Sequence, residues 1–359
     1  MRSIYDYIKR RKYSFAESFA DLWFYIKSRK KFGTRCYYAG SELRIDCTKN
    51  LALVFNCGLG DAIYTLPLLK KLSSQLNERG LAFNGFVEEQ PSINANPAVY
   101  DLLVSIGLFD RLEYFRGTRC AYWKYHDWSS LEDIVGDHTQ ILPVVYKRSR
   151  SNKNRVDIVC RQFSLGCGSD WPTIRPRFSL QYKEFLYKLH NYQHVIFAHF
   201  DTRSGNYRYP HIKQLIECLK KDGAIDGVTA VVLLTNEDFS QENTYLLDPR
   251  EMPISDLIEL VRVTPSSVIA VNSFMWPVAQ MLRKRLIGIQ VVDSDDANQF
   301  YFEGAFIITP SSFVFNHIER GYLARESVDY KIIKKEGRHI VYFPESLSLI
   351  ISGALLRAE

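Results

Sequence analysis

The stretch that most constrains the fold is residues 51–76. Leu51-Ala52-Leu53-Val54-Phe55 is an unbroken apolar run, which a strand carries when both of its faces are covered, as in a parallel sheet. Asn56-Cys57-Gly58-Leu59-Gly60-Asp61 follows as a glycine-bearing turn. A helix is predicted from Ala62 to Leu76, with Ile63, Leu66, Leu69, Leu72 and Leu76 on one side. Strand, glycine turn and helix in that order open a doubly wound α/β domain.

The same alternation returns further along. Strands are predicted at Phe83–Val87, Arg111–Phe115, His194–Phe200, Thr229–Thr235, Val268–Val271 and Leu286–Val292. Helices are predicted at Ile212–Lys221, Asp256–Val263 and Trp276–Arg283, with a last helix near Leu347–Leu356. Strands alternating with helices imply parallel sheets. The proline-rich segment Asp170–Ser179 reads as a linker. A chain of 359 residues has room for two domains at about 100–200 residues each. The expected fold is therefore α/β: two doubly wound Rossmann-like domains facing across a cleft, with a basic helical N-terminal arm. The expected divisions are 1–47 (arm, then a hairpin over Cys36–Cys47 turning at Ala39-Gly40), 48–178, 179–340, and a C-terminal helix in 341–359.

Charge sorts the function classes. The net charge is +6, and residues 1–35 hold ten basic against three acidic side chains. The basicity thus belongs to the arm and not to the body, which argues against a protein built as a whole to bind nucleic acid. In the arm, Phe15, Phe19, Leu22, Trp23 and Ile26 recur at helical spacing among basic residues. Such a segment either lies on anionic lipid or packs on the body with a solvated basic face. No apolar stretch approaches the roughly 18–20 residues of a membrane span, and no secretory leader is legible. The seven cysteines include no C-x-x-C pair, so zinc is not expected and scattered thiols in a reducing compartment are. The expected location is the cytoplasm, at the inner face of the membrane.

Asp61 falls on the first turn of its helix, at the mouth of the expected cleft. It can cap the helix, or accept a proton from a substrate hydroxyl. The segment is not the G-x-G-x-x-G fingerprint, and a carboxylate there disfavours phosphate and favours a neutral polyol. On the other domain, Arg203 and Arg208 follow the strand that begins at His194, where a diphosphate clamp would sit. Asn272-Ser273 precede a helix whose amides can bind an oxyanion or be capped. His199 ends a strand near the cleft, to touch nucleotide or to pack inside. Asp293-Ser294-Asp295-Asp296 matches a loose D-x-D pattern for a divalent cation, a weak signal. Asp137-His138 is a conceivable base dyad, more simply structural.

Gly58-Leu59-Gly60-Asp61-Ala62-Ile63-Tyr64-Thr65-Leu66-Pro67-Leu68-Leu69 resembles the N-terminal motif of glycosyltransferase family 9, the ADP-heptose:lipopolysaccharide heptosyltransferases. Asn96–Tyr100, Arg155–Gly166, Pro172–Leu180, His199–Arg203, Arg208-Tyr209-Pro210 and Val268–Leu282 are similar to further family stretches. The resemblance spans about residues 51–290. It implies the two-domain GT-B fold and an inverting, metal-independent transfer of a heptose-like sugar from a nucleotide-diphosphate donor to a hydroxyl of a glycan or lipopolysaccharide acceptor. No cofactor is implied beyond the sugar nucleotide as substrate. Asp61 matches the family's base. Gly60 and Tyr64 are expected at the acceptor, and His199, Thr202, Arg203, Arg208, Asn272 and Ser273 at the donor. The chain departs from the family at Asn272-Ser273-Phe274-Met275-Trp276-Pro277: asparagine replaces an acid, Phe274 a glycine and Pro277 a histidine. Tyr207 stands where a lysine is expected. Three alternatives stay open: an epimerase or hydrolase of the same fold, a binding module with a decayed donor site, and a nucleic-acid binder acting through residues 1–35.

Overall fold

The computed structural model describes residues 36–38, 45–55, 57–88, 97–115, 118–119, 125–127, 129–144, 154–166, 170–201, 208–236, 240–291, 302, 305–308, 330–333 and 339–356. The arm of residues 1–35, the Ala39-Gly40 turn, Asn56, Thr202, Arg203, Tyr207 and Asp293–Asp296 lie outside them.

The first domain is a four-stranded sheet of β2 (Asn50–Phe55), β3 (Phe83–Glu88), β4 (Arg111–Phe115) and β7 (Thr139–Val144) in the order β4-β3-β2-β7, every pair parallel. Helices α1 (Leu59–Asn77), α2 (Pro97–Ile106), α3 (Ser129–Val135) and α4 (Arg155–Gln162) accompany it. The apolar run behaves as expected: Leu51 to Phe55 are all buried. The helix α1 begins three residues earlier than predicted, taking in Leu59, Gly60 and Asp61.

The second domain is a six-stranded parallel sheet in the order β10-β9-β8-β11-β12-β13. Its strands are β8 (His194–His199), β9 (Thr229–Leu234), β10 (Thr244–Leu247), β11 (Ser266–Val271), β12 (Arg285–Ile289) and β13 (Ala305–Ile308). Its helices are α5 (Leu180–Leu189), α6 (Ile212–Lys221), α7 (Ile254–Val263), α8 (Met275–Leu282) and α9 (Pro344–Leu356). Leu347, Ile350, Ile351 and Ala354 repeat at three- and four-residue spacing and share one apolar cluster with Leu215, Ile216 and Leu219 of α6. The last helix is therefore part of the second domain and not a separate appendage.

Cys36–Tyr38 (β1) pairs antiparallel with Tyr125–Asp127 (β6), which also pairs with Thr118–Arg119 (β5). The residues that the expected hairpin would bring back beside β1 lie outside the described ones. One expectation is corrected: not all the cysteines are free thiols, since Cys160 is disulfide-bonded, while Cys47, Cys57 and Cys218 are free. A remaining two-stranded ribbon pairs β14 (Tyr330–Ile333) with β15 (His339–Tyr342).

The linker is held by two buried acids. Asp256, fully buried at the start of α7, accepts the backbone N–H groups of Arg177 (2.6 Å), Phe178 (2.8 Å) and Ser179 (2.8 Å). Those three bonds hold Phe178 at φ +55°, a left-handed conformation unusual for an aromatic residue. Asp101 of α2 reaches across the domains to the Ser255 N–H and hydroxyl (3.2 Å each) and to Arg177 (2.6 Å).

Candidate active site

Strand order locates the site. In the first sheet the order reverses between β2 and β7, and in the second between β8 and β11. Open parallel sheets bind ligands beyond the carboxyl ends of their strands at such reversals. The turn after β2 carries Gly58, Gly60 and Asp61; the segments after β8 and β11 carry Asp201 and Asn272-Ser273-Phe274. These two reversal points meet. A Cβ added to Gly60 would lie 3.4 Å from the Phe274 Cα, so the backbone at Gly60 rests directly against the other domain. The Phe274 ring packs on the His199 imidazole, with centroids 5.0 Å apart at 56°.

Asp61 is where sequence reasoning placed it, and its environment is more specific than expected. Its Oδ1 accepts from the Arg155 guanidinium at 2.8 Å. The arginine side chain is 7% exposed and the carboxylate 38%. One oxygen is thus held from the buried side. The other, Oδ2, makes no hydrogen bond among the described residues. Asp61 does not cap its helix: the N-cap is Gly58, with no side-chain cap bond. Arg155 is the site residue that sequence reading missed. It opens α4, ninety-four positions from Asp61, and a lone arginine at a helix start is no signal by itself. Asn154, the residue before it, caps α4 by accepting from the Val156 N–H at 3.0 Å.

Tyr64 is corrected from a residue lining the acceptor side to one behind it. It lies one turn after Asp61 on the core-facing side of α1 and is 3% exposed. Burial pushes its phenol up; Arg155 opposes that shift and Asp61 reinforces it, so the three groups share one neighbourhood. Burial also pushes the Cys57 thiol up, with the Asp61 carboxylate adding to it, so this cysteine is a thiol and not a nucleophilic thiolate.

On the opposite wall, His199 is 7% exposed, its Nδ1 is buried without a hydrogen-bond partner among the described residues, and burial lowers its pKa to about 4. It is a neutral imidazole. Ser273 Oγ accepts from the Met275 N–H at 3.3 Å, and the Ser273 carbonyl from the Trp276 N–H at 3.1 Å. Asn272, Ser273 and Phe274 are half-buried at the seam. Pro277 is buried in the first turn of α8, where a missing N–H costs little. Behind it Trp276 Nε1 donates to the Ala270 carbonyl at 2.9 Å. Arg208 is exposed and its backbone bridges to Asp201, which returns the chain beside the end of β8. Thr202 and Arg203, between those two, lie outside the described residues. Asp137 and His138 stand in an exposed turn at the amino end of β7, the far edge of the sheet from Asp61, so they form no part of the site.

Two doubly wound parallel-sheet domains with their reversal points face to face make the GT-B fold. Among solved structures, the chain is similar to a glycosyl transferase family 9 protein from Veillonella parvula (TM-score 0.56, 11% identity, covering 89% of this chain and 100% of that one). It is similar also to the ADP-heptose lps heptosyltransferase II of E. coli (TM-score 0.52, 14% identity, covering 86% and 99%). These likenesses show a shared fold. No protein-family model and no curated protein matches the sequence.

Proposed function

We propose that the protein is an inverting glycosyltransferase that moves a sugar, heptose-like, from a nucleotide-diphosphate donor to a hydroxyl of a glycan or lipopolysaccharide acceptor. The observation that carries this reading is the Asp61 carboxylate at the meeting of the two reversal points, with Oδ1 anchored by Arg155 and Oδ2 open. The fold shared with a family 9 glycosyl transferase and with an enzyme that handles ADP-heptose supports it.

In this mechanism Asp61 Oδ2 takes the proton of the acceptor hydroxyl as that oxygen attacks the anomeric carbon. The bond from that carbon to the diphosphate oxygen breaks, and the diphosphate leaves with the electron pair. A single displacement inverts the anomeric centre. Gly60, with no side chain, lets the Phe274 backbone of the donor domain approach the turn that carries Asp61. Arg203, Arg208, Thr202 and the start of α8 at Asn272-Ser273 are the donor side; their charge and amides receive the developing negative charge in place of a metal ion. Residues 1–35 would hold the enzyme against anionic lipid at the cytoplasmic face. Among the described residues no helix is long and apolar enough to cross a membrane.

The test is Asp61→Asn, which keeps an oxygen for Arg155 and removes the base. Turnover should fall by about 10²–10⁴-fold, the usual worth of general-base catalysis, with donor affinity nearly unchanged. Near-normal turnover by that variant sinks the reading. One observation favours a second reading, a binding module without transfer: Phe274 fills the seam between Gly60 and His199. Calorimetry with ADP-, UDP- and GDP-sugars separates them, since silence with all three belongs to the module.

A further inference from the structure

The donor-side helix touches the base's support. Gln280 of α8 donates through Nε2 to Asn154 Oδ1 at 3.2 Å, across the two domains. Asn154 Oδ1 also accepts from the Val156 N–H, so that atom must be the oxygen, and the Gln280 amide is oriented with its nitrogen toward it. That orientation leaves Gln280 Oε1 buried with no hydrogen-bond partner among the described residues. A buried, half-satisfied amide is less stable than a satisfied one, so folding alone gives no reason for glutamine here. An apolar side chain of the same length would fill the place without an orphan atom.

The bond is placed to matter elsewhere. Asn154 is the cap from which α4 starts, Arg155 is the first residue of that helix, and Arg155 holds Asp61 Oδ1 at 2.8 Å. The Gln280 contact adds a bond from the other domain to the same Asn154 oxygen that starts α4, next to the residue that carries the guanidinium. Gln280 lies on the helix that begins two residues after Ser273, so both ends of this chain of contacts belong to the two walls of the cleft. The Gly60–Phe274 contact closes the same seam.

Resting on the reading of Asp61 as base, we infer that Gln280 is a positioning residue that aligns Asp61 through Asn154 and Arg155, and does so only while the two domains are closed on one another. The carboxylate is then correctly aimed when the donor half is in place, and slack when the domains part.

The experiment compares Gln280→Met, Asn154→Ala, Asn154→Asp and Asp61→Asn in the full chain. The reaction followed is release of nucleoside diphosphate from whichever of ADP-heptose, a UDP-sugar or a GDP-sugar the wild type turns over. Displacing a reacting group by about 1 Å costs up to about 10²-fold, so Gln280→Met should lower kcat by about 10-fold to 100-fold with the donor KM within about twofold. Its unfolding temperature should equal or exceed that of the wild type, since an orphan oxygen is gone. Asn154→Ala should fall likewise, and Asn154→Asp, which keeps the accepting oxygen, should recover most of the loss. In a crystal of Gln280→Met the Arg155–Asp61 bond should lengthen. Unchanged kcat in Gln280→Met, or kcat and KM failing together with a lower unfolding temperature, overturns the inference. Full activity of Asp61→Asn, or no turnover of any donor by the wild type, overturns instead the reading beneath it.

Discussion

Two turns with the same job in the fold, β2 into α1 and β11 into α8, are built in opposite ways. The first leaves its helix start open. Gly58 supplies no cap, Gly60 supplies no side chain, and Asp61 projects with 38% exposure and one unbonded oxygen. The second closes its own. Ser273 accepts from Met275, Phe274 fills the gap to Gly60 and His199, and Met275, Trp276 and Pro277 are buried. The glycine-bearing turn presents a carboxylate; the serine-aromatic turn is filled by its own side chains and faces it as a wall. The loss of rate in Asp61→Asn is the largest effect that would separate the two. If a substitution in the second turn cost as much rate, the contrast would fail.

The next effect belongs to the wall. Burial holds His199 neutral, with its pKa pushed down to about 4. In the unfolded chain an imidazole titrates near about 6.5. Between those values the unfolded state binds a proton that the folded state does not, so stability falls as pH falls through that window. Integrated from about pH 6.5 to about pH 4, the loss is on the order of 3 kcal/mol. His199→Gln removes that contribution. Urea unfolding from pH 7 to pH 4.5 should therefore show a steeper acid loss for the wild type than for the variant. Parallel profiles would mean that the imidazole is already protonated or hydrated at the seam, and that the wall is wetter than its burial implies.

How much of this was legible in the sequence follows from the same contrast. The parallel core was readable because Leu51–Phe55 and the later apolar runs must be covered on both faces. The place of Asp61 on the first turn of α1 was readable because the strand, glycine turn and helix around it were. Arg155 was not, since its meaning comes from a contact with a residue ninety-four positions away and nothing local marks it. Tyr64 was misplaced because the motif puts it near Asp61 in sequence, while α1 is covered on every side from Ala62 to Leu69. The pairing of Cys36–Tyr38 with Tyr125–Asp127 was not legible either, because a three-residue strand carries too little pattern to name a partner so remote. The reversal points became visible only with strand order, which alternation alone does not fix.

A smaller effect tests what supports the wall. Gly288 in β12 lies under Trp276: an added Cβ would be 2.6 Å from Ile307 Cδ1 and 2.8 Å from Trp276 Cζ2. The indole cannot retreat freely, because its Nε1 is bonded to the Ala270 carbonyl. Overpacking of this kind costs typically about 1–3 kcal/mol. Gly288→Ala should lower the midpoint of thermal unfolding accordingly, and its strain should be felt in α8 and not in α1. Hydrogen exchange measured on the two helices would locate it; equal loosening of both would show that the domains yield as one body.

The smallest effect is the most discriminating. Ser273→Ala removes the hydroxyl that accepts from Met275 N–H, and at 3.3 Å that bond is long. Ser273 stands one residue before the N-cap Phe274, and a neutral bond of this kind contributes about 0.5–1.5 kcal/mol, a long one at the low end. If Ser273 does no more than that, kcat/KM with the donor should be nearly unchanged, because so small a loss leaves the protein folded. If the hydroxyl also contacts the departing diphosphate, the rate must fall, because a bond made to developing charge is stronger than a neutral one. The ratio of the two losses, read from one variant by unfolding and by kinetics, decides whether the second turn is a wall alone or a wall with a donor contact in it.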